Sequence, residues 1–281
     1  MNHHQPPTPG DFLHRESAAR FLNGALGGKD NFAIDRALLA QAIEITADFE
    51  LLVATAERFR QYAVRSLVGA GIDQFIDCGP GLPEFDAATG ALAQFCCVLY
   101  VEQDPMALSR ARGLLNRDGT AVIQADLYDP AGIRAHPGAG LLDWDQPIGL
   151  IHSHSWLRSP TDAAALADAM KGFVAELPAG SHTASCHLEL PSPAHHRGEQ
   201  VLQATELQDL LTSAVGGGWF HTRAQIEALF GDQKPLAPGL VPALQLLDQT
   251  YEPARPDEQT LCDFLIAGIA RVREPAAAGA G

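Results

Sequence analysis

The 281-residue chain predicts an α/β domain on a mostly parallel sheet, and three observations lead there. Short apolar runs recur at residues 75–78, 97–101, 121–124, 147–152 and 181–190. They are too continuously apolar for strands with one face in water, and suit strands buried on both faces. Stretches with helical spacing lie between them, and that alternation is the mark of a parallel sheet covered by helices.

Residues 1–13 are polar and proline-rich and read as a flexible tail, as do 274–281. From 14 to 70 the pattern is helical, a cap interrupted by the loop Gly27-Gly28-Lys29-Asp30-Asn31. Within it Leu52, Ala56, Phe59, Ala63 and Leu67 repeat at helical spacing. The core is expected over 71–273. Strand 75–78 runs into a glycine turn, and a helix is expected at 85–94. The second strand ends at Glu102, and a helix over 105–115 opens on Pro105, where a missing N–H costs little. The third strand precedes Asp126. An amphipathic helix over 161–176, closed by Pro178 and Gly180, joins the fourth strand to the fifth. Helices at 197–214 and 222–230 follow, then strands at 239–247 and 260–272, expected as an antiparallel hairpin at the sheet edge.

Acids outnumber bases 34 to 19, a formal net charge of -15. That argues against unassisted binding to nucleic acid or to an anionic membrane, where basic surface supplies the affinity. A small or cationic substrate fits better, and solubility alone also explains the balance. The five cysteines are odd in number and lack CxxC spacing, which points to a reducing cytoplasm and no disulfide framework. Neither a signal peptide nor a membrane span is legible. An exposed edge strand would suit a homodimer.

Ligands in an open parallel sheet sit outside the carboxyl ends of the strands, where this sequence places its unusual residues. Asp77-Cys78-Gly79-Pro80-Gly81 follows the first strand. Gly79 permits a tight turn, and Gly81 lets backbone approach a ligand closely. Glu102, about twenty residues on, ends the second strand, where a carboxylate accepts from two ribose hydroxyls. A dinucleotide site would want a third glycine and room for pyrophosphate, whereas this loop continues with Pro83 and Glu84. Asp77 suits an ammonium, and Asp126 an adenine amino group. Three acids around a glycine turn favour a zwitterionic, sulfonium-bearing nucleoside.

The chain resembles an actinobacterial family of S-adenosylmethionine-dependent methyltransferases, formerly a domain of unknown function. Leu26 to Phe32 with Asp35-Arg36 is similar to its N-terminal signature. Gly79 to Pro83, Val101-Glu102-Gln103-Asp104-Pro105 and Gln124-Ala125-Asp126-Leu127 resemble its cofactor motifs. Thr222-Arg223 and residues 238–242 resemble its C-terminal part. The resemblance implies a Rossmann-like class I methyltransferase fold: a mostly parallel seven-stranded sheet, its last strand antiparallel, under an N-terminal helical cap. It implies S-adenosyl-L-methionine as cofactor, with Gln103 and Leu127 among its contacts. It also matches Arg58 to a family arginine that would pair with the methionyl carboxylate, a residue equally suited to a surface salt bridge. Asp30 and Asn31 lie in a loop able to close over the cofactor, and both residue types also cap helices. The family's usual tyrosines are replaced by Leu22 and Gly24, and Glu84 stands in an altered run. These departures leave room for a homologue that binds the cofactor without transferring methyl.

Methyl transfer requires a nucleophile held in line, and a protonated one also needs a base. His152 and His154, at the end of the fourth strand, are the catalytic candidates. Strand alternation lets only one of them face the ligand; a strand-end histidine with a structural hydrogen bond is the plainer role. His182, His187 and Cys186 add imidazole and thiolate, but no pair has HxxxH spacing and no metal is expected. Trp144, Trp156 and Trp219 suit either an aromatic acceptor pocket or core packing.

Overall fold

The computed structural model describes residues 14–82, 96–115, 118–158, 163–192, 198–233, 235–248, 250–252, 254, 255 and 258–273. The expected helix at 85–94, Glu84 and both termini lie outside them.

Three helices come first: α1 (Ala18–Ala25), α2 (Ala33–Ile45) and α3 (Phe49–Gly69). Ser17 caps α1, its hydroxyl oxygen accepting from the Arg20 N–H, one of the backbone donors a helix start leaves unpaired. The apolar stripe of α3 from Leu52 to Leu67 is buried, as its spacing predicts.

The sheet and its helices follow as β1 (Gln74–Cys78), β2 (Cys97–Glu102), α4 (Pro105–Leu115), β3 (Thr120–Gln124), α5 (Pro130–Ala135), β4 (Gly149–His152), α6 (Ala163–Glu176) and β5 (His182–Glu189). Then come α7 (Gly198–Val215), β6 (Phe220–His221), α8 (Arg223–Ala228), β7 (Val241–Pro242), α9 (Ala243–Leu247) and β8 (Leu265–Arg271). The spatial order is β3-β2-β1-β4-β5-β8-β7, with β6 beside β5. β1 to β5 run parallel, and β8 runs antiparallel to both β5 and β7. The order reverses between β1 and β4, which opens a crevice at their carboxyl ends.

Two expectations need correction. Residues 243–247 are helix: Ala-Leu-Gln-Leu-Leu is built of strong helix formers, and β7 stops at Pro242. Residues 261–264 form a 3-10 turn in which the Asp263 carboxylate accepts from the Thr260 N–H, so β8 begins only at Leu265. Short α5 was not legible among its glycines and prolines. It forms because the Asp129 carboxylate accepts from the Gly132 N–H and Pro130 occupies the first turn.

Alternation along each strand sorts the core into two layers. Phe75, Tyr100, Ile151, Ala184 and Ala267 share a cluster with α3 and α7. Ile76, Leu99, Ile123 and Leu150 share another with Leu166 and Phe173 of α6. The same parity puts Asp77 on the α3 side and His152 on the α6 side.

Candidate active site

Gly79 and Gly81 both have left-handed backbone, φ 73° and 71°, which a side chain would oppose. With Glu102 and Leu127 they wall a cavity roofed by Ala18, Ala19 and Leu22 of α1 and flanked by His154, Leu157 and Arg158. Its volume is about 10 Å³, the room of a single water.

Two buried carboxylates mark the crevice. Glu102 is 1% exposed; its Oε1 accepts from the Asp104 N–H at 2.8 Å and lies 3.4 Å from Arg158 Nη1. Burial raises its pKa against the pull of Arg158. Asp104 lies 3.7 Å from Arg158 Nη2 and accepts from the Ser17 hydroxyl at 2.7 Å, tying α1 to the start of α4. Asp77 faces Arg60, whose Nη1 lies 3.3 Å from Oδ2, while Oδ1 is buried without a hydrogen-bond partner among the described residues. Burial, opposed by Arg60, pushes the Asp77 pKa up to about 6.

Other expected residues lie elsewhere. Arg58 is exposed and sits near Asp248. Arg60 reaches the crevice instead, because two residues along a helix turn the side chain by about 200°. Asp126 is exposed beyond β3, its carboxylate accepting from the Tyr128 N–H, whereas its neighbour Leu127 lines the cavity. Gln103, half-buried, is not among the lining residues. Asp30 pairs with Arg110 at 2.5 Å, and its N–H donates to Asn23. Asn31 donates to the Gly28 carbonyl and accepts from Arg36. Both therefore pin the loop between α1 and α2; neither lines the cavity nor caps α2, which starts after Phe32.

The two histidines separate. His154 lines the cavity. His152 points to the opposite face, its ring stacked on Tyr128 (centroids 5.3 Å apart, planes 28°) and edge-on to Phe173. His152 is thus on the other face of the sheet from His154, away from the residues that line the cavity. Sequence reasoning missed Arg60, Arg158 and the α1 wall. Only Arg60 left a signal, since it lies beside the apolar stripe of α3.

β5 buries an unexpected polar stripe on the α6 side. Thr183, Ser185 and His187 alternate there, and the His187 ring lies 5.9 Å from that of His221. Neither His187 nitrogen has a hydrogen-bond partner among the described residues. Among the described residues no group of His, Cys, Asp or Glu has metal-holding geometry. Of the tryptophans, Trp156 is core and Trp144 packs on Arg134; none is among the residues lining the cavity.

Burial depresses the His152 pKa from 6.5 to about 3. The folded state therefore favours the neutral ring, and the stability this confers is complete above pH 6.5 and lost as the pH falls from there toward 3. Between pH 6.5 and 5 the loss is about 2 kcal/mol for this one group. Urea denaturation at pH 7.5 and 5 is expected to show it, with a shallower fall in His152→Leu. Equal falls in both proteins would mean that His152 does not contribute.

A family model described as S-adenosyl methyltransferase matches residues 11–273. A candidate methyltransferase from Thermobifida fusca YX, solved as a crystal structure, is 30% identical, covers 96% of this chain and 99% of its own, and superposes with a TM-score of 0.80. A DUF574 family protein from Streptomyces avermitilis MA-4680 shares the fold at 21% identity and a TM-score of 0.77, covering 92% of this chain and 98% of its own. No curated protein matches the chain. With the crevice, its acids and a match over nearly the whole length in agreement, the chain belongs to the S-adenosyl methyltransferase family and is an S-adenosylmethionine-dependent methyltransferase.

Proposed function

We propose that the crevice between β1 and β4 binds S-adenosylmethionine through Asp77, Gly79, Gly81, Glu102 and Leu127, and that the enzyme methylates a small molecule. The unpartnered Oδ1 of Asp77 carries this reading. A carboxylate oxygen buried beside a glycine turn, with no donor of its own, is what an amino acid ammonium would satisfy, and a buried acceptor left unmade costs about 1–3 kcal/mol. Glu102 accepts the ribose hydroxyls once Arg158 shares or yields its carboxylate. Leu127 supplies the apolar contact for adenine, with Asp126 at the rim. Bound there, the cofactor supplies an electrophilic methyl on a sulfonium.

The acidic net charge of -15 favours a neutral or cationic acceptor over nucleic acid. No helix among the described residues is long and apolar enough to cross a membrane. The five free cysteines, four of them buried, support a reducing, cytoplasmic setting.

Calorimetric titration of protein freed of carried-over ligand tests the reading. Micromolar binding of S-adenosylmethionine and S-adenosylhomocysteine is expected, and binding of neither would overturn it.

A further inference from the structure

His154 follows β4, is 4% exposed, and presents to the cavity wall a ring whose Nε2 has no hydrogen-bond partner among the described residues. Its other nitrogen meets the Val53 backbone, the Glu57 carboxylate and the Ser153 hydroxyl, of which the hydroxyl can act either way. The ring makes a hydrogen bond with the Val53 backbone, and since Nε2 is unpartnered that bond belongs to Nδ1. Glu57 Oε2 lies 3.8 Å from the same nitrogen and Ser153 Oγ 3.5 Å. A neutral imidazole carries one proton; the Val53 backbone and the Glu57 carboxylate favour it on Nδ1, which leaves the lone pair on Nε2. Glu57 is itself clamped: Arg60 donates to it from Nη2 at 2.6 Å and from Nε at 3.0 Å, and Gln61 donates at 3.1 Å.

We propose that His154 is the proton acceptor of the methyl transfer, that Glu57 is its positioning residue, and that the methyl acceptor is a small molecule bearing a phenolic hydroxyl. The proposal rests on the methyltransferase reading and deepens it. The proton of the acceptor hydroxyl passes to His154 Nε2 as the oxygen bonds the methyl carbon. The carbon–sulfur bond breaks with its electron pair staying on sulfur, so the sulfonium charge disappears and an imidazolium forms beside the Glu57 carboxylate. A hydroxyl can surrender its proton during the attack, whereas an ammonium has no lone pair to attack with until its proton has already gone. A phenol ionises near pH 10, within reach of imidazole assistance; a thiol ionises near 8.5 and needs a base less.

The charged groups around His154 are Glu57 and Arg60 of α3, Asp77 of β1, Glu102 of β2 and Arg158 beyond β4. Burial lowers the His154 pKa, Glu57 raises it and Arg60 lowers it. The net direction keeps the ring neutral, and able to accept a proton, at pH 7.

Nitrogen-detected NMR of the labelled full chain with S-adenosylhomocysteine tests the assignment, His154→Gln identifying the resonance. The Nδ1–H tautomer is expected at pH 7.5, and Glu57→Gln is expected to lower the midpoint of His154 protonation by about one pH unit. An Nε2–H tautomer in the wild type, or a midpoint unmoved by Glu57→Gln, overturns the proposal; the tautomer result stands even where the variant fails to fold. Failure of S-adenosylhomocysteine to bind the same sample would instead overturn the methyltransferase reading. With radiolabelled methyl donor and panels of phenols, amines and thiols, turnover of a phenol that drops about 100-fold or more in His154→Gln supports the proposal. Turnover of amines or thiols but no phenol overturns the hydroxyl assignment.

Discussion

Glu102→Ala is expected to abolish measurable binding of S-adenosylmethionine and S-adenosylhomocysteine while leaving the protein folded. A carboxylate accepting two ribose hydroxyls makes two charge-assisted hydrogen bonds, each worth about 1.5–3 kcal/mol. Losing both weakens affinity by roughly a hundredfold to ten-thousandfold. The unliganded protein loses less, because Arg158 keeps Asp104 3.7 Å away when Glu102 is removed. Glu102→Gln separates charge from shape: it keeps one acceptor oxygen and is expected to fall between the two. Calorimetry, with a thermal melt to confirm folding, reads both variants. Affinity unchanged in Glu102→Ala would remove Glu102 from the ribose.

Asp35→Ala is expected to destabilise the protein by about 3–5 kcal/mol, the range for removing one partner of a buried ion pair. Asp35 and Arg20 are each 1% exposed, with Arg20 Nε 2.6 Å from Oδ2. The same carboxylate accepts from the Ser17 N–H at 3.1 Å and the Phe32 N–H at 2.8 Å. Removing it strands a guanidinium left with the Arg15 carbonyl, a Met106 sulfur contact and the face of Phe32, whose ring centre lies 4.7 Å away. It also loosens both helix starts. Since α1 roofs the cavity, cofactor affinity is expected to fall together with the denaturation midpoint. The double replacement Arg20→Met with Asp35→Leu is expected to regain much of the stability, because an apolar pair leaves no buried charge behind. A loss below 1 kcal/mol in Asp35→Ala would mean that water or a rearranged loop solvates Arg20.

Much of the fold was legible because it rests on local pattern. Continuous apolar runs and the buried stripe of α3 located β1 to β5 and α3, and Pro105 marked the start of α4. The unread elements are short, and local bonds or neighbours hold them. β6 has two residues and exists because it pairs with β5. α5 depends on Asp129 and on proline geometry, and α9 on residues whose spacing also fits a strand.

By itself the sequence determined that Asp77, Gly79, Gly81 and Glu102 stand at strand ends, and chain order in a parallel sheet brings those ends to one crevice. Tertiary structure alone decided which side chains meet there. His152 and His154 differ by one step of alternation that only the packing of Phe173 and Tyr128 resolves. Arg58 and Arg60 differ by the rotation of α3 on the sheet. The pairing of Glu57 with His154, of Arg158 with Glu102 and of Ser17 with Asp104 joins segments distant in the chain. Periodicity and propensity act over a few neighbouring residues, whereas such contacts depend on how the helices seat against the sheet, and no local pattern encodes that.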